Sequence, residues 1–336
     1  GRGSYSRSTL GSLADRTPAA RAIIDACDAY RAERGRPTVT ALDAEPAFRG
    51  AKHVAGEHAS LLTAACSLAD HAELDPDGYE VVGVCGNSMG WYTALAVAGA
   101  LPLDASIRLI ETMAAYQAGN VIGGQIMTPL TAEDGTADPA LRAGVEAALE
   151  AARESGGRAF WSIDLGSHAV LGADAAGLKA LERALPETRR GERTFPVRLP
   201  LHSAFHTPLM AATAEAARRD LADLPFAAPG VPLVDGRGAV FRPGWADPLA
   251  LLDYTLGHQV TRPYDFRTGL LSALHHTGAH VVVLLGPGNS LGGPVARALI
   301  AEGWRGLRDR GAFDAAQREA PVLLSFGVTL QRQRLV

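Results

Sequence analysis

A short apolar run that ends in a Gly-x-Ser-x-Gly turn constrains this chain more than any other feature. Residues 81–85 are almost all apolar, Gly86-Asn87-Ser88-Met89-Gly90 follows, and the next residues are rich in alanine and leucine. This order is typical of a strand, a sharp turn and a helix, which hold a serine hydroxyl above a sheet edge beside a helix N-terminus. Ser88 is therefore the first candidate for a covalent nucleophile, although the same turn can serve backbone geometry alone.

Strands and helices alternate along the chain, so the hydrophobic spacing predicts an α/β fold. Between residues 121 and 199 the predicted order changes to β-α-β-β-α-β, which is the arrangement of a ferredoxin-like domain. We therefore predict a large hydrolase-like domain with a mainly parallel sheet, at 1–119 and 200–336, and an inserted ferredoxin-like subdomain at 120–199. Continued α/β alternation without a separate subdomain is the alternative.

Two segments near the C-terminus have simpler interpretations. A predicted strand at 280–285 leads into Gly286-Pro287-Gly288 and a helix, but no acidic residue about 20 positions later supports a dinucleotide site. A tight turn beside the active-site cleft is the better interpretation. The apolar run at 322–328 can add a strand, and we assign it no function.

Composition excludes several classes of partner. Of the 336 residues 20% are charged, and the formal net charge is −4 without a basic run, which argues against nucleic acid or an anionic membrane. The sequence predicts no membrane span and no signal peptide, so we expect a cytoplasmic protein, and a monomer. Cys27, Cys66 and Cys85 are widely spaced, so no disulfide or metal site is predicted and the thiols are expected to be buried.

A serine nucleophile needs a base, and the chain has ten histidines. His202 and His206 lie in a loop that enters a helix directly after the predicted domain junction. Such junction loops often line clefts. A lone histidine is more often structural, so position alone does not select His206.

Three motifs in one order resemble a known family. They are Gly86-Asn87-Ser88-Met89-Gly90, Phe205-His206-Thr207-Pro208-Leu209-Met210 and Gly286-Pro287-Gly288. Their order and approximate spacing are similar to those of malonyl-CoA:acyl carrier protein transacylases and polyketide synthase acyltransferase domains. Further matches, which extend the resemblance over nearly the whole chain, are Leu61-Leu62-Thr63-Ala64, Gln259 with Pro263, and the opening Gly1-Arg2-Gly3-Ser4.

The resemblance implies a role for each matching residue. Ser88 would attack a thioester, and His206 would act as the base, oriented by the main-chain carbonyl of Gln259. The oxyanion would be held by the N–H groups of Met89 and Arg2. The acyl group would move between CoA and the phosphopantetheine of an acyl carrier protein, with no cofactor. In the family a strand precedes the first loop; none is visible here, so residues upstream of Gly1 are missing or the sheet edge differs.

Departures from the family bear on the substrate. Malonyl-transferring members carry an arginine on the helix after the elbow, which pairs with the free carboxylate. Here that position falls on Met113, which predicts an apolar acyl pocket unless Arg108 or another arginine supplies the charge. Four more residues are candidates to shape the pocket, although packing is the favoured interpretation for the tryptophan: Asn87, Trp91, His58 and Phe205.

The sequence therefore predicts an acyltransferase for a non-carboxylated acyl group, acetyl or longer, in polyketide or fatty-acid biosynthesis. An editing acyl carrier protein thioesterase with the same Ser88 and His206 is the alternative, and a malonyl transferase or a non-catalytic binding module is less favoured. Because the family's carrier protein is acidic, basic residues near the junction are candidates for its docking surface. These are Arg189, Arg190, Arg193 and Arg198.

Overall fold

The structure, a computed structural model, describes residues 2–336. Its helices are α1 Pro18–Ala32, α2 Val39–Asp43, α3 Gly50–His53, α4 Gly56–Ala72, α5 Gly90–Val97, α6 Leu103–Ala115, α7 Pro139–Glu154, α8 Ala175–Ala184, α9 Ala211–Asp220, α10 Pro248–Asp253, α11 Gln259–Thr261, α12 Phe266–Thr277, α13 Gly292–Glu302, α14 Arg310–Glu319 and α15 Thr329–Arg332. Its strands are β1 Val84–Cys85, β2 Gly124–Pro129, β3 Ala159–Asp164, β4 His168–Ala173, β5 Thr188–Arg190, β6 Arg193–Phe195, β7 Val197–Leu199, β8 Leu233–Val234, β9 Val240–Phe241, β10 Tyr264–Asp265, β11 Val282–Leu284 and β12 Leu323–Ser325.

The strands of the large unit form two separate small sheets. In the first, β1 lies parallel to β8, and β9 pairs antiparallel with β8. In the second, β11 lies parallel to β12, so the apolar run near the C-terminus does add a strand. The strand expected at 79–85 is paired only over Val84–Cys85, because β8 is its one partner in the described chain.

Helices bury the apolar stripes that the sequence spacing predicts. The N-cap Thr17 and Pro18 begin α1, and Thr17 accepts a hydrogen bond from the N–H of Ala20. Helix α4 is buried along most of its length, because α1, α2, α5 and α6 pack around it. This packing holds the large core against the elbow turn that follows β1.

A five-stranded sheet in the order β10-β3-β4-β2-β7 forms the smaller unit. Strand β2 pairs antiparallel with β4 and β7, β3 pairs antiparallel with β4, and α7 and α8 pack on this sheet around their own apolar core. The strand expected at 193–199 is broken at Pro196 into β6 and β7, since proline has no N–H to donate. Strand β10 of the large unit extends the sheet by pairing parallel with β3.

Candidate active site

Ser88 lies in a strained turn between β1 and α5. Its backbone has φ of 55°, a left-handed conformation that side chains rarely adopt. Gly86 makes the turn possible, because a Cβ there would stand 2.2 Å from the carbonyl oxygen of Gly90. At Gly90 a Cβ would meet nothing within 4 Å, so only the first glycine of the motif is required by sterics.

Ser88, His206 and Gln259 form a hydrogen-bonded chain. The Oγ of Ser88 lies 2.7 Å from Nε2 of His206, and Nδ1 of His206 lies 2.5 Å from the carbonyl oxygen of Gln259. A carbonyl only accepts, so Nδ1 carries the proton and Nε2 of a neutral ring accepts from the serine hydroxyl. The predicted orienting carbonyl is therefore in place, and no carboxylate is needed in the chain.

The imidazole of His206 is completely buried. Its backbone φ is 61°, and its N–H donates to the carbonyl of Val260 at 2.8 Å. Burial lowers the pKa of His206 to about 4, although the hydrogen bond to Gln259 opposes this shift. The ring is therefore neutral near pH 7, as a general base must be.

The side chain of Gln259 has a second role that the sequence did not predict. Its Oε1 accepts from the hydroxyl of Tyr92 at 3.0 Å, and its Nε2 donates to the carbonyl of Ser88 at 3.1 Å. One residue thus orients the base with its main chain and holds the elbow with its side chain. Tyr264 adds to this support, because its hydroxyl donates to the carbonyl of Gly86 and its ring lies 5.5 Å from that of His206.

The two predicted oxyanion donors, Met89 and Arg2, lie in different local structures. The N–H of Met89 precedes α5 and donates no hydrogen bond to any residue in 2–336, so it is free to bind an anion. Arg2 belongs to a 3-10 turn, Arg2–Ser4, where Ser4 Oγ lies 2.8 Å from Ser290 Oγ. The N–H of Arg2 as a second donor stays a prediction, and Gly1 lies outside the described residues.

Trp91 does not belong among the pocket residues, and the structure supports the packing interpretation instead. It is 0% exposed, its Nε1 donates to Thr255 Oγ1 at 3.0 Å, and its ring packs against Tyr254 and Phe241. A side chain enclosed in this way packs the core beneath the elbow and does not line an acyl pocket.

The other predicted pocket residues have different surroundings. Phe205 lies beside the catalytic candidate, with its ring 6.2 Å from that of His206. Asn87 has a buried Oδ1 with no hydrogen-bond partner within residues 2–336. His58 is half-buried, and its Nδ1 lies 3.0 Å from Arg31 Nη2. Burial and the charge of Arg31 lower the pKa of His58.

Met113 is buried in the large core on α6, with 3% of its surface exposed. Arg108 lies on the same helix but faces outward, where it binds both carboxylate oxygens of Asp223 at 2.8 Å. Buried Arg31 is also paired, with Glu111 at 2.5 Å. Neither arginine is free to hold a substrate carboxylate in this arrangement.

Neither a reactive cysteine nor a metal cluster stands beside the serine site in the described residues. Cys85 lies near the elbow, but burial raises its pKa to about 11, so it stays a thiol. Within residues 2–336 no group of three or more histidine, cysteine, aspartate or glutamate side chains is placed to hold a metal, and no helix is long and apolar enough to cross a bilayer.

The predicted basic rim lies on the last three strands of the small unit. Arg198 pairs with Glu182 at 3.0 Å, Arg189 Nε donates to the carbonyl of Gly191, and Arg190 donates to the carbonyl of Thr131. Arg193 is exposed on β6. Their role in docking stays a prediction.

Comparisons with known proteins bear on the fold. No protein-family model matches the chain. An acyl-carrier-protein S-malonyltransferase from Burkholderia pseudomallei superposes with a TM-score of 0.74 at 22% identity, covering 99% of this chain and 96% of that one. The malonyl-CoA:ACP transacylase of Synechocystis gives 0.74 at 18% identity, covering 100% and 97%.

Two polyketide synthases are also similar. The acyltransferase domain of an iterative polyketide synthase in enediyne biosynthesis has a TM-score of 0.56 at 26% identity, covering 82% of this chain and 62% of that one. Polyketide synthase GfsB of Streptomyces halstedii is 28% identical over 209 residues, which is 62% of this chain. The chain spans about 3% of the length of that curated relative. The predicted fold class is confirmed: this chain has the α/β fold of the malonyl-CoA:acyl carrier protein transacylases.

Proposed function

We propose that this protein is a serine-dependent acyltransferase that moves acyl groups between thioesters through an acyl-Ser88 intermediate. The hydrogen-bonded chain from Ser88 through His206 to the carbonyl of Gln259 carries this proposal. Similarity to acyltransferases of fatty-acid and polyketide synthesis supports the reaction class and suggests CoA and acyl carrier protein thioesters as substrates.

The geometry allows both halves of a transfer. Ser88 Oγ attacks the thioester carbonyl while its proton passes to Nε2 of His206, and the N–H of Met89 holds the oxyanion. The C–S bond then breaks, and the imidazolium returns the proton to the leaving thiolate. In the second half the acceptor thiol gives its proton to His206 and attacks the ester, and Ser88 recovers a proton as it leaves.

The acyl group in this proposal carries no free carboxylate. The resemblance aligns Met113 with the arginine of malonyl-transferring members, and a thioether cannot pair with a carboxylate. Arg108 binds Asp223 and Arg31 binds Glu111, so neither supplies the missing charge. Leaving a malonyl carboxylate unpaired in an apolar pocket would cost several kcal/mol, which favours acetyl or longer acyl groups.

Intact-mass measurement of the acyl-enzyme tests the proposal. The protein is incubated separately with acetyl-CoA, octanoyl-CoA and malonyl-CoA, and Ser88→Ala is the matched blank. We expect acetyl or octanoyl adducts on the parent protein alone, which a holo acyl carrier protein removes by accepting the acyl group.

Three other results of this measurement would contradict the proposal in part or in full. Release of free acid without transfer would make the protein a hydrolase. A malonyl adduct of equal yield would refute the proposed specificity, and no adduct with any thioester would refute the acyltransferase.

A further inference from the structure

The peptide group that joins Phe205 to His206 is held at both ends. Its N–H, on His206, donates to the carbonyl of Val260 in α11 at 2.8 Å. Its C=O, on Phe205, accepts from the hydroxyl of Ser162 on β3 at 2.8 Å. A peptide group is planar, so two bonds on opposite edges fix its orientation. One bond comes from the large unit and the other from the small unit.

The orientation of this peptide group sets the direction of the base. Rotation of the peptide changes φ of His206, which is 61° in the structure. A left-handed residue that carries a side chain relaxes to negative φ unless its surroundings prevent it. Such a rotation would carry the imidazole away from Ser88 Oγ, which lies 2.7 Å from Nε2. The bond at the Phe205 carbonyl therefore opposes a relaxation that would misplace the base.

Ser162 reaches this carbonyl because β3 has an extra residue there. In the ladder with β4, Trp161 pairs with Leu171 and Ile163 pairs with Val170, which leaves Ser162 without an opposite residue. Such β-bulges redirect a side chain and are common beside active sites. Ser162 is 0% exposed, so its hydroxyl needs a partner inside the protein.

Gln125 on β2 fixes the direction of the Ser162 hydroxyl. Its Nε2 lies 2.7 Å from Ser162 Oγ and 3.4 Å from the Phe205 carbonyl oxygen. An amide nitrogen only donates, so Ser162 accepts from Gln125 and its single proton is left for the carbonyl. Gln125 is 3% exposed, and the two buried side chains converge on one oxygen.

We propose that Ser162, oriented by Gln125, is a positioning residue for the base. It holds the peptide between Phe205 and His206 in the orientation that points Nε2 of His206 at Ser88. This role rests on the proposed function, in which His206 is the base, and it makes the small unit part of the acylation machinery. The serine motif and the histidine motif of the sequence give no sign of it, because β3 lies outside both.

Nuclear magnetic resonance of ¹⁵N-histidine-labelled protein tests the position without substrate. His206→Gln identifies the signals of His206 among the ten histidines. In the parent we expect a single tautomer with a slowly exchanging proton on Nδ1, bound to the Gln259 carbonyl. In Ser162→Ala this proton should exchange at least tenfold faster. Thr128→Val is the matched control, because Thr128 lies buried on β2 and its hydroxyl has no partner within residues 2–336.

The rate of acylation separates positioning from substrate binding. Rapid-quench intact mass with acetyl-CoA should show a maximal rate at least tenfold lower in Ser162→Ala, with the half-saturating concentration within twofold of the parent's. Ser162→Thr keeps the hydroxyl and should restore most of the rate. Thr128→Val should react like the parent.

Two results would overturn the proposal. One is a parent-like Nδ1 proton signal in Ser162→Ala. The other is an equal loss of rate in Ser162→Ala and Thr128→Val, which would assign Ser162 to packing alone. If the parent forms no adduct, the acyltransferase proposal fails, and the Nδ1 proton by itself decides whether Ser162 positions His206.

Discussion

Ser88 Oγ lies 2.7 Å from His206 Nε2 although the two residues are 118 positions apart. Both residues have a left-handed backbone, with φ of 55° and 61°. Such conformations cost about 1–3 kcal/mol each and persist only where the surroundings hold them. Gln259, Tyr264 and Gly86 supply that support, so the pair is held in position before any substrate binds.

Replacing His206, the proposed base, should slow acylation of Ser88. In His206→Ala the Ser88 hydroxyl has no proton acceptor, so acyl-enzyme formation should slow by about 10²- to 10⁴-fold. Rapid-quench intact mass with acetyl-CoA measures this rate. His202→Ala is the matched control from the same loop and should react at the parent rate; an equal loss in both variants would contradict the assignment.

The acid limit of the reaction should lie unusually low. Burial lowers the pKa of His206 to about 4, so the ring keeps its neutral, proton-accepting form well below pH 6.5. The pH profile of kcat/KM for acyl transfer should therefore fall only as pH approaches about 4. A half-maximum near 6.5 would show that the buried, neutral ring is not the working form.

The lowered pKa of His206 should also make the free energy of unfolding depend on pH. The unfolded chain binds a proton on this histidine near pH 6.5, whereas the folded chain binds it only near pH 4. The contribution of His206 is therefore fully present above pH 6.5 and is lost as pH falls towards 4. Urea unfolding of the parent and His206→Gln at pH 7 and pH 5 should show the steeper loss in the parent.

The two glycines of the elbow should differ in tolerance. Gly86→Ala would place a Cβ 2.2 Å from a backbone oxygen, so the turn must open and activity should be lost. Gly90→Ala meets no neighbour within 4 Å and should keep both activity and the thermal midpoint. Parallel melting curves and adduct yields compare the pair, and a loss of activity in Gly90→Ala alone would reverse the interpretation.

Removal of the Gln259 side chain should weaken the elbow while leaving its orienting carbonyl. Gln259→Ala strands the Tyr92 hydroxyl and the Ser88 carbonyl in a buried site, which should lower the free energy of unfolding by about 1–3 kcal/mol. Tyr92→Phe removes one of these bonds and should cost less. A double-mutant cycle by urea unfolding measures the coupling, which would be near zero if the contact contributes nothing.

Met113→Arg tests the specificity proposal from the opposite direction. A guanidinium at this position should raise the ratio of malonyl to acetyl adducts at least tenfold, because it pairs with the free carboxylate. Met113→Leu is the apolar control and should retain the parent's acyl preference. If the arginine variant keeps a native melting curve and the ratio does not rise, Met113 does not face the acyl group.

Local patterns were enough to predict the elements around Ser88. The apolar run before Gly86 and the glycines of the turn predicted the elbow, and the β-α-β-β-α-β order predicted the small unit. The sequence favoured packing for Trp91, but it could not identify Phe241 and Tyr254 as the rings against which Trp91 packs. The pairing of β1 over only two residues was also unpredictable, since strand partners come from distant segments.

The sequence by itself determined which side chains are available: a serine in a Gly-x-Ser-x-Gly turn, histidines in the loop before a helix, and a methionine on a helix that follows the turn. Only the tertiary structure decided which of ten histidines meets Ser88, because that depends on how α11 and the loop before α9 pack against the elbow. It also decided the double role of Gln259, whose carbonyl and amide reach two different partners. Contacts between residues more than 50 positions apart leave no periodicity in the chain, so three-dimensional packing alone specifies them.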